Sequence, residues 1–338
     1  MNSKTRKILI AVLVVALLAG TGFGVGLPRY QANQAALKQA GTMTDYKASD
    51  GREYMLYVPK SYKANVQLPL VVMLHGCLED PKVINESTGL QVLADKEGFA
   101  VVYPKQYESA NPAMCWNWFL PSNQVRGKGE PASIVGIVDE VKAKIKIDPK
   151  RVYAEGFSSG ACTSMILGIT YPDVFAAIGV IAGVQYKAAT SPMEAGNLTQ
   201  TGGPDPDVQG KLAFEAMAQN ARVVPTIVWQ GSKDYIVTPV CSEKVISQMA
   251  QTNDLALNGA DDNDIDDVAD EVITGVAGKE YTRYIYKNKV NNAIVMEKYV
   301  VDGLTHAISG GIEGTQHVDP EAPKAIEINW AFFKQFTK

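Results

Sequence analysis

Histidine is scarce in this sequence, with only His75, His306 and His317 in 338 residues. Cysteine is nearly as rare: Cys77, Cys115, Cys162 and Cys241, with no Cys-x-x-Cys or His-x-x-x-His spacing among them. A resident metal needs three or four such ligands converging, so neither a metal nor a cofactor is expected. A basic excess is missing too, since 32 Lys and Arg face 36 Asp and Glu for a formal net charge of −4. Binding through phosphate neutralisation requires the opposite balance, and no nucleic-acid partner is expected.

What is present begins with a segment to set aside. Lys4, Arg6 and Lys7 precede an uncharged run from Ile8 to Ala19, the charge order and length of a signal-peptide core. Extended through Gly20 to Leu27, the run reaches the length of a membrane-spanning helix. Gly20-Thr21-Gly22 is not a clean A-x-A cleavage site, and no cysteine stands near it to take a lipid. Residues 1–27 are therefore expected to be a signal peptide or an uncleaved N-terminal anchor, and residues 28–44 a linker with a helical spacer over Gln31 to Ala40. Either way residues 45–338 are exported, secreted or periplasmic, and the membrane is a partner only through the possible anchor. An even cysteine count in an oxidising compartment favours two disulfides, although four cysteines allow three pairings. Cys77 with Cys115 would brace two loops after neighbouring strands, and Cys162 with Cys241 would tie two helices.

The 46% of hydrophobic residues is enough for one large core. Strands are expected over Arg52 to Pro59, Leu68 to Leu74, Phe99 to Tyr103, Ala176 to Ala182 and Val224 to Trp229, then over Tyr281 to Tyr286 and Ala293 to Val301. The spacing Ile134, Ile137, Val138, Val141, Ile145 is helical, and a last helix is expected from about Pro323 to Phe336. This alternation implies a single α/β domain built on a doubly wound, mostly parallel sheet. Residues 187–211, rich in Gly, Pro and Thr, read as a long excursion over the site and a candidate lid. Eight acidic residues fall between Asp254 and Glu271. Asp262, Asp264 and Asp266 start like a calcium loop, but Asp267 and Ile273 stand where glycine and glutamate are needed, so a solvated loop is the better reading.

The stretch Arg151 to Thr170 runs strand, Gly156-Phe157-Ser158-Ser159-Gly160, helix, the context of a nucleophile elbow. Ser158 is the candidate nucleophile. A serine hydroxyl needs a histidine to take its proton and a carboxylate to orient that histidine, in the chain order serine, acid, histidine. His306, just after the strand ending at Val301, is preferred as base over His317, which lies in a Gly-rich loop and reads as a surface residue. Asp234, in the loop after the Val224 to Trp229 strand, is preferred as acid over Asp302, which reads as a turn residue. The backbone N–H groups of Cys77 and Ser159 are the expected oxyanion donors. His75 is either a substrate contact or a shaper of its turn.

With those residues in view, the chain resembles the polyhydroxybutyrate depolymerase family of α/β-hydrolase esterases, itself similar to feruloyl and acetylxylan esterases. The likeness covers roughly residues 45–338 and rests on linked blocks in one order: LPLVVMLHGC, VVYPKQ with CWNWF, DPKRVYAEGFSSGA, YPDVFAAIGVIAG, VPTIVWQGSKDYIVTP and VDGLTHAISGG. It implies an α/β-hydrolase fold, the same Ser158, Asp234, His306 and Cys77 roles, and substrate contacts near Trp116 and Trp118, of which alternation suggests one is buried. Two departures stand out: Gln230-Gly231-Ser232-Lys233 where the family often has a histidine and small residues, and the acidic stretch. A linker and polymer-binding domain of the kind secreted depolymerases usually carry are not expected after the last candidate loop. The expectation is a serine carboxylesterase acting on soluble short-chain, hydroxyalkanoate-oligomer or aromatic esters, with little activity on crystalline granules. An acyltransferase on the same fold and a non-catalytic binding protein are the alternatives.

Overall fold

The computed structural model describes residues 41–338. The signal peptide or anchor, and the linker up to residue 40, lie outside the described residues. Ten strands make one sheet: β1 (Thr42–Lys47), β2 (Glu53–Val58), β3 (Leu68–Leu74), β4 (Ala100–Pro104), β5 (Ile147–Phe157), β6 (Ala177–Ile181), β7 (Thr226–Gly231), β8 (Glu271–Ala277), β9 (Lys279–Lys287) and β10 (Ile294–Val301). Their order is β1-β2-β4-β3-β5-β6-β7-β10-β9-β8. The run from β4 through β3, β5, β6 and β7 to β10 is parallel. Antiparallel pairs close both edges.

The parallel strands are apolar on both faces because helices cover both. β3 shows this directly. Leu70, Val72 and Leu74 belong to a core shared with the helices Gly129–Lys144, Ser159–Thr170 and Pro239–Asn258. Val71 and Met73 point the other way, into a core shared with the helices Leu90–Glu97 and Ala325–Phe333. Every residue of Ser159–Thr170 is buried, which accounts for a sequence apolar on all sides. No described helix is long and apolar enough to cross a membrane. The mostly parallel, doubly wound sheet is as expected, and it carries the loops after β3, β5, β7 and β10 to one end.

Four features differ from expectation. The sheet begins at Thr42, so the last residues of the expected linker pair with β2. The helix expected from Ser133 starts at Gly129, because Asn123 accepts the Glu130 N–H and lets the chain turn earlier. β8 emerges from the acidic stretch as an exposed edge strand. Residues 187–211 are not an irregular excursion: they hold the helix Pro192–Thr201 and the start of the helix Pro206–Met217. Ser191 caps the first by accepting the Glu194 N–H, and Asp205 caps the second by accepting those of Asp207 and Val208. In the acidic stretch, buried Asp254 accepts the N–H groups of Asp262, Asn263 and Ile265, so one carboxylate shapes that loop.

Candidate active site

Ser158 stands between β5 and the helix Ser159–Thr170 with φ 55° and ψ −120°. A non-glycine residue held there costs about 1–3 kcal/mol, so the surroundings must enforce it. They do so by close approach. A Cβ on Gly160 would lie 2.2 Å from the Leu74 carbonyl oxygen, and one on Gly156 would lie 2.4 Å from the Gly160 carbonyl carbon. Strand and helix pass too closely for any side chain at either place, and the hydroxyl between them is left partly exposed.

Three side chains separated by up to 148 positions meet there. His306 Nε2 is 3.0 Å from Ser158 Oγ, and His306 Nδ1 is 2.7 Å from Asp234 Oδ2. The other Asp234 oxygen accepts the N–H groups of Ile236 and Val237, both at 2.9 Å. A buried carboxylate so engaged has one oxygen left for the imidazole, which favours a proton on Nδ1 and a lone pair on Nε2 toward the serine. The acid and base loops are tied together as Ser232 N–H donates to Val301 O and Lys233 N–H to Leu304 O. Asp302 is exposed and accepts from the Ser232 hydroxyl, which in turn accepts the Gly303 N–H. It is a turn residue. Gln230, the residue that departs from the family pattern, is buried and donates to Val237 O, supporting the Asp234 turn from below.

Cys77 follows β3, and among the described residues no acceptor meets its N–H. Ser159 opens its helix, where N–H groups have no intrahelical partner. The Cys77–Cys115 disulfide forms as expected and joins the turn after β3 to the aromatic loop. The second expected disulfide does not: Cys162 and Cys241 are separate buried thiols. The Cys241 sulfur faces the Thr199 carbonyl oxygen at 3.4 Å, and burial pushes the Cys162 thiol up to about 12 and that of Cys241 to about 11.

The expected substrate contacts need correction. His75 and Trp116 have no exposed surface, and Trp118 is 8% exposed and lies in the core. His75 Nδ1 donates to Gly76 O while its Nε2 accepts the Gln106 N–H, so the ring shapes the turn. Trp116 donates through Nε1 to His75 O and through its backbone N–H to Ser159 Oγ, joining the turn after β3 to the helix that follows Ser158. Buried Glu130, which the sequence reading passed over, holds this loop by accepting from Asn117 N, Asn117 Nδ2 and Gln106 Nε2. His317 is not a free surface residue either. It is half-buried, and its Nδ1 lies 2.8 Å from the fully buried Glu79. The large apolar side chains that do reach solvent next to the site residues are Leu78, directly after Cys77, and Tyr235, directly after Asp234. Adjacency in sequence to the two loops was the signal for both.

A family model described as "Esterase PHB depolymerase" matches residues 52–272. The chain is similar to poly(3-hydroxyalkanoate) depolymerase C of Paucimonas lemoignei, 37% identical over 252 residues, which is 74% of this chain and 57% of that protein. It is also similar to feruloyl esterase B of Thermothelomyces thermophilus, 30% identical over 239 residues, 68% of this chain and 76% of that one. Among solved structures, an acetyl xylan esterase from Aspergillus awamori superposes with a TM-score of 0.65 at 18% identity, covering 87% of this chain and 99% of that one. That likeness shows a shared fold, the α/β-hydrolase architecture.

Proposed function

The chain belongs to the esterase PHB depolymerase family of carboxylic ester hydrolases, and from that premise we propose that it is an exported serine esterase working through Ser158, His306 and Asp234. The observation that carries this reading is the continuous hydrogen-bonded line Asp234–His306–Ser158, at 2.7 and 3.0 Å, ending on a strained and partly exposed hydroxyl. Ser158 Oγ attacks the ester carbonyl as His306 Nε2 takes its proton. Asp234 accepts from Nδ1 throughout and stabilises the imidazolium. The N–H groups of Cys77 and Ser159 receive the developing oxyanion, a contribution of about 3–4 kcal/mol for each such donor. Collapse expels the alcohol, which takes the proton from His306, and water then releases the acid by the same steps.

The substrate class proposed is soluble short-chain, hydroxyalkanoate-oligomer or aromatic esters. Support comes from the names of the relatives and from Leu78 and Tyr235, solvent-exposed apolar residues that directly follow Cys77 and Asp234 in the chain. A side chain such as Tyr235 gives apolar contact without demanding one acyl shape. Export is supported by the charge order of residues 4–19 and by the Cys77–Cys115 bridge, since disulfides persist in oxidising compartments. The test is a panel of soluble esters varied in acyl length and aromaticity, run beside an emulsified polyester, with and without an added alcohol acceptor. Turnover of soluble esters that vanishes in Ser158→Ala is expected. Activity that survives that substitution would sink the mechanism, and a transesterified main product would turn the reading toward a transferase.

A further inference from the structure

Glu79 is a buried carboxylate with no role in the line of Ser158, His306 and Asp234, and its surroundings connect two loops that the chemistry needs. One oxygen, Oε2, accepts the Gly76 N–H at 2.7 Å, inside the turn whose next residue is Cys77. The other, Oε1, lies 2.8 Å from His317 Nδ1. His317 is bound to the base loop: its carbonyl oxygen accepts the Ile308 N–H, two residues past His306, where β11 (Ile308–Ser309) and β12 (Val318–Asp319) pair in parallel. Between the two loops stands the Phe157 ring, 4.8 Å from the His306 ring and 6.0 Å from that of His317. A Cβ on Gly76 would lie 2.9 Å from that ring and 3.2 Å from Glu79 Oε2, so the turn is packed against both. His317 itself adopts φ 53°, in the left-handed region that histidine enters more readily than most non-glycine residues.

We propose that Glu79 and His317 form a positioning pair that fixes the Cys77 N–H relative to His306 and Ser158, an inference that rests on the esterase reading above. Neither residue touches the reacting atoms. The geometric reason is that an oxyanion donor works only when it is aimed at where charge develops, so a turn free to shift weakens the transition state and leaves ground-state binding alone. Two hydrogen bonds accepted by one buried carboxylate remove that freedom. The pair also explains why a histidine sits in a Gly-rich loop: its ring is what reaches back to the carboxylate.

The test uses His317→Asn, since Asn tolerates a left-handed φ and its shorter side chain withdraws the ring nitrogen, together with Glu79→Ala and Glu79→Gln. His317→Asn and Glu79→Ala are expected to lower kcat about ten- to hundredfold with KM within about twofold, and to weaken a boronate transition-state mimic in parallel with kcat/KM. Glu79→Gln is expected to stay within about threefold of wild type, because its oxygen still accepts from Gly76 and its NH2 can donate to the other tautomer of His317. Hydrogen exchange at the 75–78 amides is the second readout, and it needs no turnover. Protection there is expected to fall in His317→Asn and Glu79→Ala while the central strands keep theirs. Unchanged kcat in both variants, or unchanged exchange at 75–78, would overturn the proposal. If wild type cleaved no ester at all, the esterase reading would fall, and exchange alone would still decide whether the brace exists.

Discussion

Two histidine–carboxylate pairs lie at the same end of the sheet, and their local geometry is nearly identical. His306 meets Asp234 at 2.7 Å and His317 meets Glu79 at 2.8 Å, each through Nδ1 and each to a side chain with no exposure. Both carboxylates also accept backbone N–H groups, from Ile236 and Val237 in one case and Gly76 in the other. The difference lies beyond the ring. Nε2 of His306 faces a hydroxyl at the tip of a nucleophile elbow, whereas among the described residues no polar side chain meets Nε2 of His317. A buried pair of this kind is therefore a way of holding an imidazole and its loop in place. On the proposed mechanism it becomes catalytic machinery only where a third atom needs its proton moved.

The largest expected effect separates the pairs outright. Ser158→Ala and His306→Ala should each lower kcat by about a millionfold, because nucleophile and base act as a unit. No change at His317 should come within a thousandfold of that. Steady-state and single-turnover kinetics on a soluble ester measure it, and an active His306→Ala protein would mean the wrong pair has been placed in the mechanism.

The carboxylates should differ in the same sense. Asp234→Asn is expected to cost roughly ten-thousandfold in kcat, since an amide donor turns the imidazole to the wrong tautomer. Asp302→Asn should stay within a few-fold, its role being the Ser232 turn. Were Asp302→Asn the more damaging change, the acid would have to be reassigned.

How much of this could be read from the chain differs between the pairs for a physical reason. The turn at Ser158 was legible because its strand, turn and helix are contiguous, and the approach of Asp234 and His306 to it followed from loop positions that the fold imposes. Glu79 and His317 stand 238 positions apart, in loops with no motif of their own, and only the folded chain brings them together. Trp116 and Trp118 misled because an aromatic loop reads alike whether its rings face substrate or core. The helices in 187–217 were legible in principle: Ser191-Pro192 with Glu194, and Asp205-Pro206, are start signals that the Gly and Pro content obscured. β8 gave little signal because an exposed edge strand buries neither face.

The Cys77 turn also carries a covalent brace, which among the described residues the Asp234 loop lacks. Closing a loop between Cys77 and Cys115, 38 positions apart, is worth about 3–4 kcal/mol in the chain-entropy account. Changing both cysteines to Ala should therefore lower the unfolding free energy by about that much. Changing Cys162 and Cys241 to Ala or Ser should not produce a comparable loss. Thiol counting with an alkylating reagent sharpens the contrast, with no reaction expected in the native protein and two thiols in the denatured one. Four blocked cysteines after denaturation would mean that the second bridge forms after all.

A third buried carboxylate shows what a histidine partner changes. Glu155, two residues before the end of β5, is 1% exposed and accepts a hydrogen bond from Asn329 Nδ2, and among the described residues it has no cationic partner. Burial raises its pKa from the ordinary 4.5 to about 7. The sign follows from proton counts. Between pH 4.5 and about 7 the unfolded chain has released this proton while the folded one retains it, so this residue makes stability fall as pH rises through that window and level off above it. At 1.36 kcal/mol per unit, the full loss is about 3 kcal/mol. Glu155→Gln keeps an oxygen for Asn329 and cannot ionise, so it should remove that slope. Urea unfolding of both proteins at pH 5 and pH 8 isolates the effect, because every other titration cancels in the difference. The variant should gain about 1–3 kcal/mol on wild type between the two pH values, and an equal difference at both would show that Glu155 ionises in the folded protein as it does in water.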